Sequence, residues 1–205
     1  MAGLIAFWSH AFAAALFAAL VIWELRRGIR IGGGQRMLLA ALALTSCWAW
    51  LTAVEPFSML AAYAETDTLC YRADSPNALI GHQAETWDPL IDWAQQRYDI
   101  GFEIVHGIMH EPQPPETVTR LAAAVHGYDA WRLAALQPLV TIAGSLVIAL
   151  ALAEGEIDVE SAFAAAQLDE LWQVEQWGED ELATRARENK RADFKPAARF
   201  LALLV

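Results

Sequence analysis

Few side chains in this chain have types that could do chemistry, and their spacing rules most of them out. His106 and His110 lie four residues apart, which on a helix would let two imidazoles share a metal ion. They fall in a piece bounded by Gly107, Pro112 and Pro114 that reads as extended, with no third ligand near. They read as surface histidines, and no metal or other cofactor is expected. His10, His82 and His126 have no partners by spacing. No serine sits in a Gly-x-Ser-x-Gly elbow, and Cys70 has only Arg72 nearby to favour a thiolate. Asp169-Glu170 and Glu179-Asp180-Glu181 are adjacent carboxylates, which diverge on a helix and read as solvated faces. No catalytic constellation emerges, so neither enzymatic activity nor a small-molecule substrate is expected.

One stretch does put an ionisable group where packing gives it little reason to be. Leu171-Trp172-Gln173-Val174-Glu175-Gln176-Trp177-Gly178 sets a carboxylate between two tryptophans. Asp158 is a ready cap for a helix running from Val159 to about Ala186. At about 100° per residue, Val159, Phe163, Ala166, Val174 and Trp177 share one face of it. Leu168, Leu171 and Trp172 share the opposite face, with Glu175 in their middle. A carboxylate there costs free energy unless it is paired or meets a partner. In one reading the indoles pack in the core and Glu175 pairs with Arg185 or Arg187. In the other, Trp172, Glu175 and Trp177 form a partner surface, since large aromatics around a central charge are what interface anchors look like.

The elements around that stretch read as mainly α. Phe57 to Cys70 has helical spacing. Pro76 suits the first turn of a helix carrying Leu79, Ile80 and Gln83, and Asp88-Pro89 reads as an N-cap that starts another through Trp93 to Tyr98. Phe102-Glu103-Ile104-Val105 alternates and is read as a short extended piece. Pro112, Pro114 and Pro115 end it, and Glu116 to Val125 resumes a helix. Leu133 to Ala153 is uncharged and long enough to span a membrane. Gln137-Pro138, Thr141, Gly144 and Ser145 interrupt it, and Glu154, Glu156 and Asp158 follow at once. It is read as a buried central helix. Asp193 to Val205 closes the chain amphipathically, with Phe194, Ala198, Leu201 and Leu204 on one side.

Charge and hydropathy divide the 205 residues in two: 1–54 and 55–205. Residues 1–54 carry four arginines against Glu24 alone, whereas residues 55–205 carry ten basic and 24 acidic side chains. So acidic a domain repels polyphosphate, and no nucleic-acid partner is expected. Cys47 and Cys70 are too few for a disulfide framework and read as buried, reduced thiols of an intracellular chain. Residues 3–23 hold Ser9 and His10 as their only polar side chains, and residues 37–54 form a second uncharged run. Together they read as a two-helix transmembrane hairpin. The intervening Arg26, Arg27, Arg30 and Arg36 would hold its loop in the cytoplasm and put residue 55 onward on the outer side of a bacterial inner membrane. The hairpin loosely resembles the first spans of an exosortase-system sensor histidine kinase, although no phosphoacceptor helix or ATP-binding glycine box follows.

Several motifs, in one order, carry a stronger resemblance. They are Tyr63-Ala64-Glu65-Thr66-Asp67-Thr68-Leu69-Cys70-Tyr71-Arg72-Ala73-Asp74, Trp87-Asp88-Pro89-Leu90, Gln113-Pro114-Pro115, Gly144-Ser145, Leu168-Asp169-Glu170 and Trp172-Gln173-Val174-Glu175-Gln176-Trp177-Gly178. From about Leu60 to the C-terminus the chain resembles the assembly-chaperone family of the F-type ATP synthase α-subunit.

That resemblance implies a helical chaperone domain over 55–205 and a holdase rather than an enzyme. Its client would be the unassembled α-subunit of the synthase's catalytic head, whose interface it shields until β arrives. The family occurs in mitochondria and in α-proteobacteria, and with no transit peptide in view a bacterium is expected. The family's functional acidic residue maps onto Glu175 or Glu179, with Glu175 favoured; Trp172, Trp177 and Gly178 complete the implied partner-binding set. The family's small β-rich N-terminal domain is absent from this reading, its place taken by the hairpin over 1–54. The family's client lies in the cytoplasm or matrix, opposite to the side that the hairpin's arginines favour. A natural membrane-tethered variant and a non-functional fused or truncated frame both remain open. The rival function is a membrane-anchored sensor or scaffold whose helical part is a docking module.

Overall fold

A computed structural model describes residues 59–107 and 109–204. The chain divides between Pro56 and Phe57 into two units, and the described residues belong to the second. They are mainly helical: α1 (Asn77–Tyr98), α2 (Pro115–His126), α3 (Ala130–Ala143), α4 (Leu146–Glu154), α5 (Val159–Ala166), α6 (Leu168–Trp177) and α7 (Glu181–Ala202). Two short strands, β1 (Tyr71–Arg72) and β2 (Val105–His106), pair in parallel. β2 lies at the end of the piece expected to be extended, and it places His106 opposite Arg72. His110, the other candidate metal ligand, lies within 2.9 Å of the Tyr71 hydroxyl through Nδ1. The expected transmembrane hairpin lies outside the described residues. Among those described, no helix is long and apolar enough to cross a membrane.

At the centre is α4. Every residue from Leu146 to Ala151 is buried, so it packs on all sides, against α1, α3, α5 and α7. The expectation of a buried core over 133–153 holds, but the single helix does not. Gly144 turns the chain at φ +65° and the Ser145 hydroxyl accepts from the Ile148 amide, so α3 stops and α4 starts afresh. The site of that break is fixed from far away in the chain. The Thr68 hydroxyl donates to the Gly144 carbonyl at 2.7 Å, and the Thr68 amide does so at 3.0 Å. A Cβ on Gly144 would lie 2.6 Å from the Thr68 hydroxyl oxygen.

Beside this turn lies Asp67, fully buried. Its carboxylate accepts from the Leu69 amide at 3.1 Å and the Val147 amide at 3.0 Å, and from the Ser145 hydroxyl. It thus caps a 3-10 turn (Thr68–Cys70) and the first turn of α4 together. This is why the expected helix over Phe57–Cys70 ends early: residues 59–62 are helical, and the chain then turns so that Asp67 reaches two sets of free amides. Cys70 is a buried free thiol, and burial pushes its pKa far up. Cys47 lies outside the described residues.

Two other helix boundaries differ from expectation. Asp88 caps nothing: α1 runs unbroken through Pro89, and the Asp88 carboxylate instead pairs at 2.8 Å with the buried Arg72 guanidinium. Trp87, Leu90 and Ile91 are buried on either side of Pro89, and that burial offsets the one backbone bond a proline removes. The helix expected over Val159–Ala186 is three helices, broken at Gln167 and again at Gly178 to Asp180. Asp158 does cap the first of them, accepting from the Ser161 amide at 2.8 Å. α7 ends the chain with Phe194, Ala198 and Leu201 buried, as its amphipathic spacing predicts.

Candidate partner-binding surface

α6 is ten residues long, and its two halves have different environments. Leu168 and Trp172 are buried. Past Trp172 the helix leaves the core, and Gln173, Glu175, Gln176 and Trp177 are all exposed. Trp177 is 75% exposed, yet its ring meets that of Trp172 edge-on at 5.7 Å. The indole is therefore held in place while most of its surface faces water. Gly178 ends the helix at φ +84°, its amide donating to the Val174 carbonyl at 2.8 Å. No other heavy atom lies within 4 Å of where its Cβ would be. The glycine is required by the turn, not by crowding. The turn brings Asp180 to cap α7 and returns the chain toward α6, so that Lys190 meets Glu170 at 3.5 Å.

An open groove of about 470 Å³ lies between the two helices. Gln173, Val174 and Trp177 line one side of it, and Ala183, Ala186 and Lys190 the other.

All five residues predicted for partner binding lie along α6 and the turn after it, but they do not form the arrangement expected. Glu175 is not in the middle of an apolar face. The buried stripe ends at Trp172, and Leu171, one turn before Glu175, is itself 36% exposed. The chain bends at Gln167 and stops at Gly178, so the long helix on which that face was drawn does not exist. The pairing of Glu175 with Arg185 or Arg187 does not occur either. Arg185 lies 3.6 Å from Glu181 and Arg187 lies 3.8 Å from Glu179. Glu175 makes no ion pair among the described residues. Trp172 packs inward and Trp177 outward, so only the second is available as an anchor.

The bases of α7 neutralise the acids of its neighbours. Lys190 meets Glu170 at 3.5 Å, and Arg191 and Lys195 both meet Glu160 on α5. Glu175 is left out of these pairs, as are Glu188 and Asp193 on α7 itself. Leu171 and Leu182 add exposed apolar surface on either side of the Gly178 turn. Leu182 follows no period that ties it to Trp177, and only the fold shows both of them exposed.

The family described as ATP12 chaperone protein matches residues 38–95. Protein atp12, mitochondrial, of Schizosaccharomyces pombe is 25% identical over 127 residues, 59% of this chain and 44% of that protein. Among solved structures, Atp12 from Paracoccus denitrificans is 36% identical with a TM-score of 0.73, covering 91% of this chain and 81% of that one. The Atu1473 protein of Agrobacterium tumefaciens is 41% identical with a TM-score of 0.70, covering 74% and 57% respectively. This chain therefore spans less than half of the Schizosaccharomyces relative and little more than half of the Agrobacterium one. The likeness also begins earlier than the motifs suggested: the family match opens at Leu38, inside the second apolar run, and the Paracoccus match is wider than residues 60–205 could supply. The chain belongs to the ATP12 chaperone family.

Proposed function

We propose that this chain is an assembly chaperone for the F-type ATP synthase, and that the end of α6 binds the unassembled α-subunit and covers its subunit interface until β replaces the chaperone. The observation that carries this is Trp177 at the end of α6, an indole three-quarters exposed and held edge-on by Trp172, with the exposed carboxylate of Glu175 two residues earlier on the same helix. Exposing an indole forgoes its burial free energy, about 2 kcal/mol or more, and partner docking recovers it. A free carboxylate at the rim gives orientation and a salt-dependent association rate. Glu179 is less available, being shared with Arg187. No catalytic step is assigned to the surface.

The region before residue 55 bears on where this happens. A chaperone must face the compartment in which its client is made, and a hairpin held by the positive-inside rule would place residue 55 onward on the other side. The family match opening at Leu38 supports a different reading, in which residues 38–54 belong to the chaperone and no second span exists. Separation of the intact chain between the membrane pellet and the supernatant, with and without alkaline carbonate, decides between the two.

The experiment on function measures binding of the intact chain to isolated α-subunit, with Glu175→Lys as the comparison. The variant is expected to weaken binding by at least about tenfold, or 1.4 kcal/mol, with an unchanged unfolding midpoint. Equal affinity would remove Glu175 from the surface. Folded parent protein with no affinity for the α-subunit would end the proposal.

A further inference from the structure

Gln167 sits at the joint between α5 and α6, and Gln83 on α1 reaches Asp169 just past that joint; each glutamine is 2% exposed. Gln167 caps the end of one helix and the start of the next with φ −113° and ψ 21°, and its side chain makes no capping bond to the amides of α6. The direction in which α6 leaves α5 therefore depends on what grips the joint from outside. Three side chains do so. The Gln83 Oε1 on α1 accepts from the Ala73 amide at 2.8 Å, and its Nε2 donates to Asp169 Oδ1 in the first turn of α6 at 2.9 Å. One turn further along α1, the Trp87 Nε1 donates to the Ala165 carbonyl near the end of α5 at 2.9 Å. From the far side, Lys190 on α7 donates to Gln167 Oε1 at 3.2 Å and meets Glu170 in the first turn of α6 at 3.5 Å.

Of these contacts, only the Gln83 link reaches α6 from the buried side. Glutamine suits the task because a neutral amide offers an acceptor and a donor at one end, and here it joins a backbone N–H to a carboxylate. A carboxylate in place of the amide would still accept from Ala73 but would repel Asp169.

We propose that Gln83 is a positioning residue for the partner surface: acting through Asp169, it sets the direction of α6 and with it the pose of Trp177 and Glu175. The reading of that surface as the client site, given above, is assumed. The consequence is a division of labour along α6. Its first turn is locked by a part-buried hydrogen-bond relay that starts just after β1, and its last turn is presented to solvent by that lock. Because Gln83 lies inside the fold, it touches no client and acts only through the helix it aims.

The test reverses the polarity of the contact. In the intact chain, Gln83→Glu sets two carboxylates against each other, and adding Asp169→Asn returns an amide donor to the pair from the opposite side. Two quantities are read for each protein: hydrogen–deuterium exchange of the amides of residues 171–177, without any client, and affinity for the α-subunit. Gln83→Glu alone should speed exchange in α6 and weaken binding by about tenfold, the size of one lost hydrogen bond. The double variant should bring both back to within about threefold of the parent. Gln83→Met, which keeps the length and loses both hydrogen bonds, should speed the same amides. Parent-like exchange in Gln83→Glu or Gln83→Met, or a loss that Asp169→Asn fails to repair, overturns the assignment. Exchange is measured without the client, so restored protection in a protein that never binds the α-subunit would sink the proposed function and leave the positioning role standing.

Discussion

Asp67 and Glu175 are both carboxylates in motifs that carry the family resemblance, and they are used in opposite ways. Asp67 has no exposure and accepts from two amides and a hydroxyl. Glu175 is exposed and has no ion pair among the described residues. Around Asp67 the chain closes on itself, with Thr68 on Gly144 and Ser145 on α4. Along α6 and past the turn after it, an indole and two leucines are left uncovered. A buried carboxylate is retained only if its donors are supplied, so Asp67 reports on the fold. A free one at the surface costs almost nothing to remove, so Glu175 reports on what the surface meets.

The contrast breaks most visibly at Asp67. Asp67→Ala leaves the Leu69 and Val147 amides without acceptors inside the core, at about 1–3 kcal/mol each. A total loss of about 3–5 kcal/mol is expected, lowering the thermal midpoint by roughly 10 °C as followed by circular dichroism. A shift of only a degree or two would mean that water reaches these amides and that the buried cap does not organise α4. Gly144→Ala comes next. It adds a Cβ at φ +65° and 2.6 Å from the Thr68 hydroxyl oxygen, and the strain and displacement together should cost about 2 kcal/mol. Thr68→Ala placed on top should recover part of that loss. If it recovers nothing, the clash is not the cause.

How much of this the residue pattern discloses depends on what ends a helix. The mainly helical class, the buried run over 133–153, the Asp158 cap and the closing amphipathic helix are all legible, because each rests on apolar period or on a local cap. The breaks are not. Pro89, Pro138 and Pro196 all lie inside helices, since buried neighbours offset the one backbone bond each removes. Gly144, Gly155 and Gly178 end helices at positive φ, which glycine adopts without strain. Reading the apolar period from Val159 to about Ala186 as one helix put Glu175 on a face that does not exist. Trp172, Glu175 and Trp177 could be singled out as a group from sequence. That one indole is covered and the other bare follows from where α6 leaves the core, and Gln83 could not be singled out at all. Its partners, Ala73 and Asp169, are distant in the chain and meet only in the fold.

Smaller effects sharpen the surface side of the comparison. Trp177→Ala removes a ring that is mostly in water, so its cost to stability should stay within about 0.5 kcal/mol. The cost to α-subunit binding should reach about 2 kcal/mol, as for a central aromatic anchor. Calorimetric unfolding and binding titration on one preparation separate the two. A large stability loss with unchanged binding would make Trp177 a packing residue and return the surface to Glu175 alone.

The smallest expected effect is a pH dependence that tells buried from exposed carboxylates by its sign. Glu160 on α5 has its pKa lowered from the usual 4.5, chiefly by Lys195 and then by Arg191 of α7. Its contribution is complete above 4.5 and is lost as pH falls through the lowered value. For Asp67 burial outweighs its hydrogen-bond donors and raises the pKa above the usual 3.8. Its ionisation therefore takes stability away as pH rises from 3.8 through the raised value. The two slopes oppose each other just above pH 4, where the unfolding midpoint should vary little. Glu160→Gln removes only its own part of the acid-side gain. In that variant the rise on the acid side should be smaller than in the parent, the Asp158 cap, whose pKa is also lowered, supplying what remains. A parent and variant that run parallel across this range would mean that the α5–α7 pair is screened by solvent, as exposed pairs commonly are, and that α7 is held to the domain by Phe194, Ala198 and Leu201 without help from its charges.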